Sequence, residues 1–399
     1  MKTFYGYVRP DGKVGIRNYL LIVANGHGSG NLALLAQKTI RDSRVWVMPQ
    51  EQGRDTEDRR TINRILVGLA RNPNVGAVLI VGHKADGGYP EFSRAAVVDP
   101  IVASGKPVDM VFIDECGGFY SALGECMRKG RHLAGLASEV FRQEVEFGRL
   151  CLGVKCGHSD ATSGMSGNPA IGYVFDRLVE AGGSAMFGET TEVIGAEHLL
   201  APRFVDETER KRFLAAVRRV EEEAKATGED IRTINPIPAN IKAGITTLEE
   251  KSLGAIVKGG SKPLNYIDYA EEPKKKGLFF MDAWMSSTTM FPAFTAAGAV
   301  LSMFQMGGGW HPDNSFPPGA FNGVVAPTMY CTGNPRTWQK MEQEMDFNSG
   351  PIITDRESVA SAGERLIDLI CQIASGKVTK AETLSVYEGP EVYTRGPAL

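Results

Sequence analysis

A chain of 399 residues that is 43% hydrophobic and 23% charged lies in the ordinary globular range and is long enough for two hydrophobic cores. A formal net charge of −3, with no run of like charge longer than Lys274 to Lys276, excludes the basic footprint that a nucleic-acid partner requires. No apolar run reaches bilayer length, no signal-peptide pattern opens the chain, and six cysteines show no disulfide-scaffold spacing, so a cytoplasmic protein without a membrane partner is expected.

In chain order, the segment GYVRPDGKVGIRN at residues 6–18 comes first. Two readings stand for it. Asp11-Gly12 suits the turn of a β-hairpin, and Arg17 with Asn18 beyond it could receive a carboxylate, because guanidinium binds one through paired hydrogen bonds. Apolar runs of strand length follow at residues 19–24, 45–48, 77–81 and 108–113, with helical spacing at 31–40 and 61–70 between them. That alternation is the signature of a parallel sheet covered by helices.

A helical pattern over 119–145 ends in charged residues before a new apolar run at 150–154. A domain boundary is therefore placed at residue 147, giving an N-terminal α/β domain over 1–147 and a C-terminal α/β catalytic domain over 148–399. Further strands are predicted at 184–187, 278–281, 300–304 and 324–326, with a charged helix at 207–227 and a closing helix at 357–374. The expected fold class is α/β, two domains with mainly parallel sheets flanked by helices.

Chemistry-bearing residues gather where runs end. Lys155, Cys156, His158, Ser159 and Asp160 crowd amine, thiol, imidazole, hydroxyl and carboxylate directly after a strand, where α/β proteins bind ligands. A cysteine beside glycine is commonly packing, and Cys156 with His158 does not complete a metal site alone. At the next such turn, Thr190 or Thr191 could cap a helix whose first turn carries Glu192. Glu197-His198 could supply metal ligands or an acid and base, or lie on the surface. Thr247 and Glu250 form a capping box, and Asn240 with Lys242 in the preceding Pro-rich turn resembles a loop holding polar groups toward a site. Residues 307–314, rich in glycine, suit a substrate-covering loop.

Together these segments resemble the altronate and galactarate dehydratase family, from Gly6 to about Gly376. The matching stretches are GYVRPDGKVGIRN, ARNPNVGAVLIVG from Ala70, KCGHSDATSGMSGNPAIG from Lys155, GETTEVIGAEHLL from Gly188, TTLEEKSLGAIVKGG from Thr246 and MDFNSGPI from Met345. The resemblance implies a hydro-lyase that dehydrates a sugar acid, or a similar small anionic hydroxy carboxylate, to a 2-keto-3-deoxy acid, usually with a divalent metal, Fe²⁺ or Mn²⁺. It further implies an oligomer and a small N-terminal domain, fused or encoded separately as a small subunit. One related large subunit eliminates sulfite from sulfolactate, so the leaving group stays open, and a noncatalytic binding subunit is the reading from another class.

Expected catalytic residues are Lys155, Cys156, His158, Asp160 and Glu189, and expected substrate-binding residues are Arg17, Asn18, Ser159, Thr190, Thr191, Asn240 and Lys242. Cysteines of the family pattern are missing after the second and third strands, where this chain has Met48 to Gly53 and Gly82 to Asp86. A metal would then rest on mixed ligands drawn from His83, Asp86, Cys156, Glu197 and His198, or the site would work without one through Lys155, Arg17 and backbone donors.

Overall fold

The computed structural model describes residues 2–48, 54–83, 88–308, 322–384 and 391–396. Strands β1 (Thr3–Val8) and β2 (Val14–Gly15) form the expected hairpin, with Gly12 at φ 80° in its turn. Strands β3 (Tyr19–Ala24), β4 (Ser43–Val47), β5 (Val75–Gly82) and β6 (Val108–Phe112) pair in parallel in the order β4-β3-β5-β6. β7 (Gln143–Glu146) returns antiparallel to β1. β8 (Cys151–Gly157), β9 (Ser184–Phe187), β10 (Leu264–Ile267), β11 (Gly277–Met281), β12 (Leu301–Met306), β13 (Thr328–Thr332) and β14 (Phe347–Asn348) build a seven-stranded parallel sheet in the order β10-β11-β9-β8-β12-β13-β14. The chain is α/β with two parallel sheets flanked by helices, as the alternation implied.

Two element boundaries differ from expectation. The helical pattern over 119–145 ends at Ser138, because Gln143–Glu146 finds β1 as an antiparallel partner and the ladder takes precedence over local spacing. The apolar run at 324–326 is a turn, with Val324 at φ 66°, and the strand begins after Pro327.

The four-stranded sheet packs one face on helices His27–Gln37 and Phe119–Ser138, where Leu32, Cys126 and Leu133 meet Ile22 and Leu79. Its other face takes helix Thr56–Arg71, started by Asp55, whose carboxylate accepts from Asp58 N at 2.8 Å. That helix buries Ile62, Ile65, Leu66 and Leu69 in a cluster that continues through Phe291 and Phe294 of helix Ser287–Ala296 to Phe304 in β12. The two sheets thus share one apolar layer. Phe4, Val14 and Ile16 of the opening hairpin pack into the core of the larger sheet, with Val154, Phe187 and Phe280.

Candidate active site

In the larger sheet the chain leaves β8 toward β9 on one side and leaves β12 toward β13 on the other, and β8 and β12 are neighbours. That is the switch point of the sheet, where carboxyl ends of two strands diverge and leave a crevice. Lys155, Cys156 and Gly157 end β8 there, and Met306, followed by Gly307, ends β12.

Below the crevice lies a cluster of buried charge. Glu189 follows β9 with φ 76°, a left-handed conformation that a non-glycine residue holds only when its surroundings fix it. Its carboxylate accepts from Cys156 N at 3.2 Å and pairs with Lys155 at 3.1 Å and with Lys258 at 2.5 Å. Glu192 lies 3.1 Å from Cys156 Sγ and 3.0 Å from Lys251, and Lys258 donates to the same sulfur at 2.9 Å. Lys251 is held by Asn235 Oδ1 at 2.7 Å and Asn240 Oδ1 at 3.3 Å. All six charged or thiol groups are buried.

Electrostatics assign the protonation states. Burial alone would neutralise Lys155 and Lys258, but Glu189 and Glu192 outweigh it and raise both above the ordinary lysine range. Burial would likewise raise Glu192, yet Lys251, Lys258 and Lys155 hold it well below. Burial and the two carboxylates push the Cys156 thiol up, so the sulfur keeps its proton. Three ammonium groups then face two carboxylates, an excess of one buried positive charge suited to an anionic ligand. Half-buried His158, at φ 52°, is lowered to about 4 by burial and by Lys155, and stays neutral near pH 7.

The remaining expected residues lie around this cluster or away from it. Asp160 and Ser159 stand beside the crevice: Asp160 Oδ2 accepts from Gly308 N at 2.9 Å and Asn334 Nδ2 at 2.7 Å, and the Ser159 carbonyl accepts from Asn240 Nδ2 at 2.9 Å. Thr190 donates to Asp282 at 2.8 Å, and Thr191 faces a separate cavity. Arg17 and Asn18 lie at the opposite, amino edge, where Asn74 joins Arg17 N to the Val300 carbonyl just before β12. There Arg17 makes a bidentate pair with Glu382 at 2.7 Å, and Asn18 bridges Arg9 and the Ala137 carbonyl. Lys242 is exposed.

Among the described residues, Cys156, Glu189 and Glu192 form the grouping of acids, thiols and imidazoles able to hold a metal, with ligand atoms within 4.8 Å of one another. A thiol with two carboxylates is a donor set that suits a borderline divalent ion, and Glu189 Oε1 has no hydrogen-bond partner among the described residues despite its ion pair with Lys155. A bound ion would have to take Lys258's place on Sγ. Of the ligands expected from sequence only Cys156 belongs to this group: His83 is exposed after β5, His198 is exposed and Glu197 half-buried on helix Glu197–Leu200, and Asp86 lies outside the described residues, as do residues 309–314 of the expected covering loop. Glu192, Lys251 and Lys258 are the site residues that local reading missed. Their signal was there, in the long matching stretches from Gly188 and Thr246 that contain them.

Comparison with known proteins agrees with this architecture. The family described as D-galactarate dehydratase/altronate hydrolase, second domain, matches residues 6–138, and that described as D-galactarate/altronate dehydratase, C-terminal, matches residues 147–393. The chain is 32% identical to the (2R)-sulfolactate sulfo-lyase subunit beta of Chromohalobacter salexigens, over 96% of this chain and 95% of that one. It is 30% identical to the galactarate dehydratase (L-threo-forming) of Escherichia coli over 94% of this chain and 73% of that one, and 27% identical to the altronate dehydratase of Bacillus subtilis over 96% and 76%. The chain therefore belongs to the galactarate/altronate dehydratase family of lyases.

Proposed function

We propose that this chain eliminates water from a small 2,3-dihydroxy carboxylate, of the sugar-acid class, to give a 2-keto-3-deoxy acid in the crevice between β8 and β12. The observation that supports this reading is the excess positive charge buried beneath the switch point. An anionic carboxylate supplies the missing negative charge, and the Lys155 ammonium stabilises the enediolate that forms as the C2 proton leaves. His158, neutral at the mouth of the crevice, takes that proton. The electron pair left at C2 expels the C3 hydroxyl, which leaves as water with the proton from the imidazolium, and the enol so formed becomes the ketone. Cys156, Glu189 and Glu192 are the residues that would hold a divalent ion such as Fe²⁺ or Mn²⁺, which supplies Lewis-acid stabilisation of the enediolate when bound.

A second reading, release of sulfite from a sulfolactate-like substrate, is favoured by the near end-to-end match with a sulfo-lyase beta subunit. The same match supports a separately encoded small subunit as partner. Incubation of the protein, alone and with such a subunit, with galactarate, altronate and (2R)-sulfolactate tests both readings through keto-acid and sulfite release. Keto acid from a sugar acid without sulfite is expected. Sulfite as the preferred product overturns the dehydratase reading, and no product from any substrate under either condition leaves the noncatalytic subunit.

A further inference from the structure

Beside the reacting cluster, at the carboxyl ends of β9 and β11, lies a second cavity of about 680 Å³, within the range that holds drug-sized ligands. Helix Glu207–Ala226 lines it with Val220 and Ala224, and the short helix Ile231–Ile234 adds its two isoleucines. The loop after β11 contributes Trp284, and the segment 391–394 contributes Tyr393, whose ring stands 6.3 Å from Trp284 at 34°. None of Lys155, Cys156, Glu189, Lys251 or Lys258 lines it.

One polar group in its wall is committed but half used. Asn235 is 2% exposed, and its Oδ1 accepts from the Lys251 ammonium at 2.7 Å, which fixes the orientation of the amide. Its Nδ2 is then a buried donor with no partner among the described residues, and the buried Thr191 hydroxyl on the same wall is in the same condition. Leaving such groups unpaired costs on the order of 1–3 kcal/mol each, so a ligand acceptor is favoured there.

Charge narrows the class of ligand. Arg219 is the only cation among the described residues that line it, and it is paired with Asp282 at 3.0 Å and with Glu223 at 3.3 Å. Glu223 and Glu391 also line the cavity, so an anion meets repulsion and, among the described residues, no unpaired cation. A polyhydroxylated acid would press hydroxyls against Val220, Ile231, Ile234 and Val392 without partners, which separates this cavity from the reaction crevice. We propose that the cavity is a second ligand site, for an uncharged planar aromatic carbonyl compound whose ring packs on Trp284 and Tyr393 and whose carbonyl accepts from Asn235 Nδ2.

Calorimetric titration of the full chain with naphthalene-2-carboxamide, and with naphthalene-2-carboxylate as the charged analogue, tests this. The carboxamide is expected to bind with a dissociation constant below about 1 mM and at least about tenfold more tightly than the carboxylate. Ala224→Phe, which fills the cavity, and Trp284→Leu, at a half-exposed ring whose loss should leave the fold intact, are both expected to weaken the carboxamide by at least about tenfold. Absence of saturable binding up to about 10 mM, equal binding of the two analogues, or binding unchanged in folded Trp284→Leu overturns the proposal.

Discussion

Lys258 reaches across from residue 258 to a sulfur and a carboxylate that no solvent touches, and its ammonium is what lets Cys156 and Glu189 sit 3.5 Å apart in the interior. Removing one partner from such a set leaves the others uncompensated, which costs more than the set contributes as a whole. Lys258→Met is therefore expected to lower unfolding free energy in urea by about 3 kcal/mol or more. A loss below about 0.5 kcal/mol would mean that Lys155 and Lys251 carry the charge balance without it. On the proposed mechanism Lys155→Met removes the ammonium that stabilises the enediolate and His158→Asn removes the base, and each is expected to lower kcat/KM by at least about a hundredfold, a range that general acid–base and electrostatic catalysis covers. Near-normal turnover in both would remove them from the mechanism. At the opposite edge, burial alone would raise the Glu382 carboxyl, but the Arg17 pair wins and lowers it. A depressed carboxyl stabilises the fold above its unfolded pKa and loses that contribution as pH falls through the folded value. Glu382→Gln should thus cost about 3 kcal/mol at pH 7 and progressively less as pH falls below the ordinary carboxyl range and through the depressed folded value. A pH-independent cost would point to shape rather than charge.

Helix Thr56–Arg71 is the element on which the two sheets meet, and its closest approach is at Gly68. A Cβ there would stand 2.5 Å from the Ala296 carbonyl oxygen and 2.8 Å from Ala296 Cα, backbone atoms that cannot turn aside. Alanine ordinarily favours a helix over glycine by about 1 kcal/mol. Here overpacking, of about 1–3 kcal/mol, opposes that gain, so Gly68→Ala is expected to lower the thermal midpoint, and a raised midpoint would show that helices 56–71 and 287–296 can separate freely. The turn after β9 is the other element-scale constraint. Gly188 lies where a Cβ would come within 2.6 Å of the Met281 carbonyl, and the left-handed Glu189 follows, so the chain turns sharply enough to drop a carboxylate back beneath β8.

At the scale of the molecule, the division proposed at residue 147 separates the two parallel sheets in sequence but not their cores. Ile62 and Leu66 share a cluster with Phe291 and Phe294, and Phe4 and Ile16 belong to the larger sheet's core. Circular dichroism and tryptophan emission are accordingly expected to report one coincident urea transition, and two resolved transitions would make the halves independent folding units. Among the described residues no helix is long and apolar enough to cross a membrane.

The sequence by itself determined the layers. Apolar runs such as 19–24 and 77–81, separated by helical spacing, read as strands buried on both faces, as β3 and β5 are, and Cys156 to Asp160 were legible as a strand-end site because they follow such a run directly. Tertiary structure decided what local spacing could not carry. Glu192, read locally as an acid in a first helical turn, is a buried partner of Lys251 on helix Leu248–Ile256. Arg17, read as a carboxylate receptor, has its carboxylate already, in Glu382 from the far end of the chain. Charge pairing in the interior depends on which groups lose water together, and that is settled only when β8, β9 and helix Leu248–Ile256 close over one another.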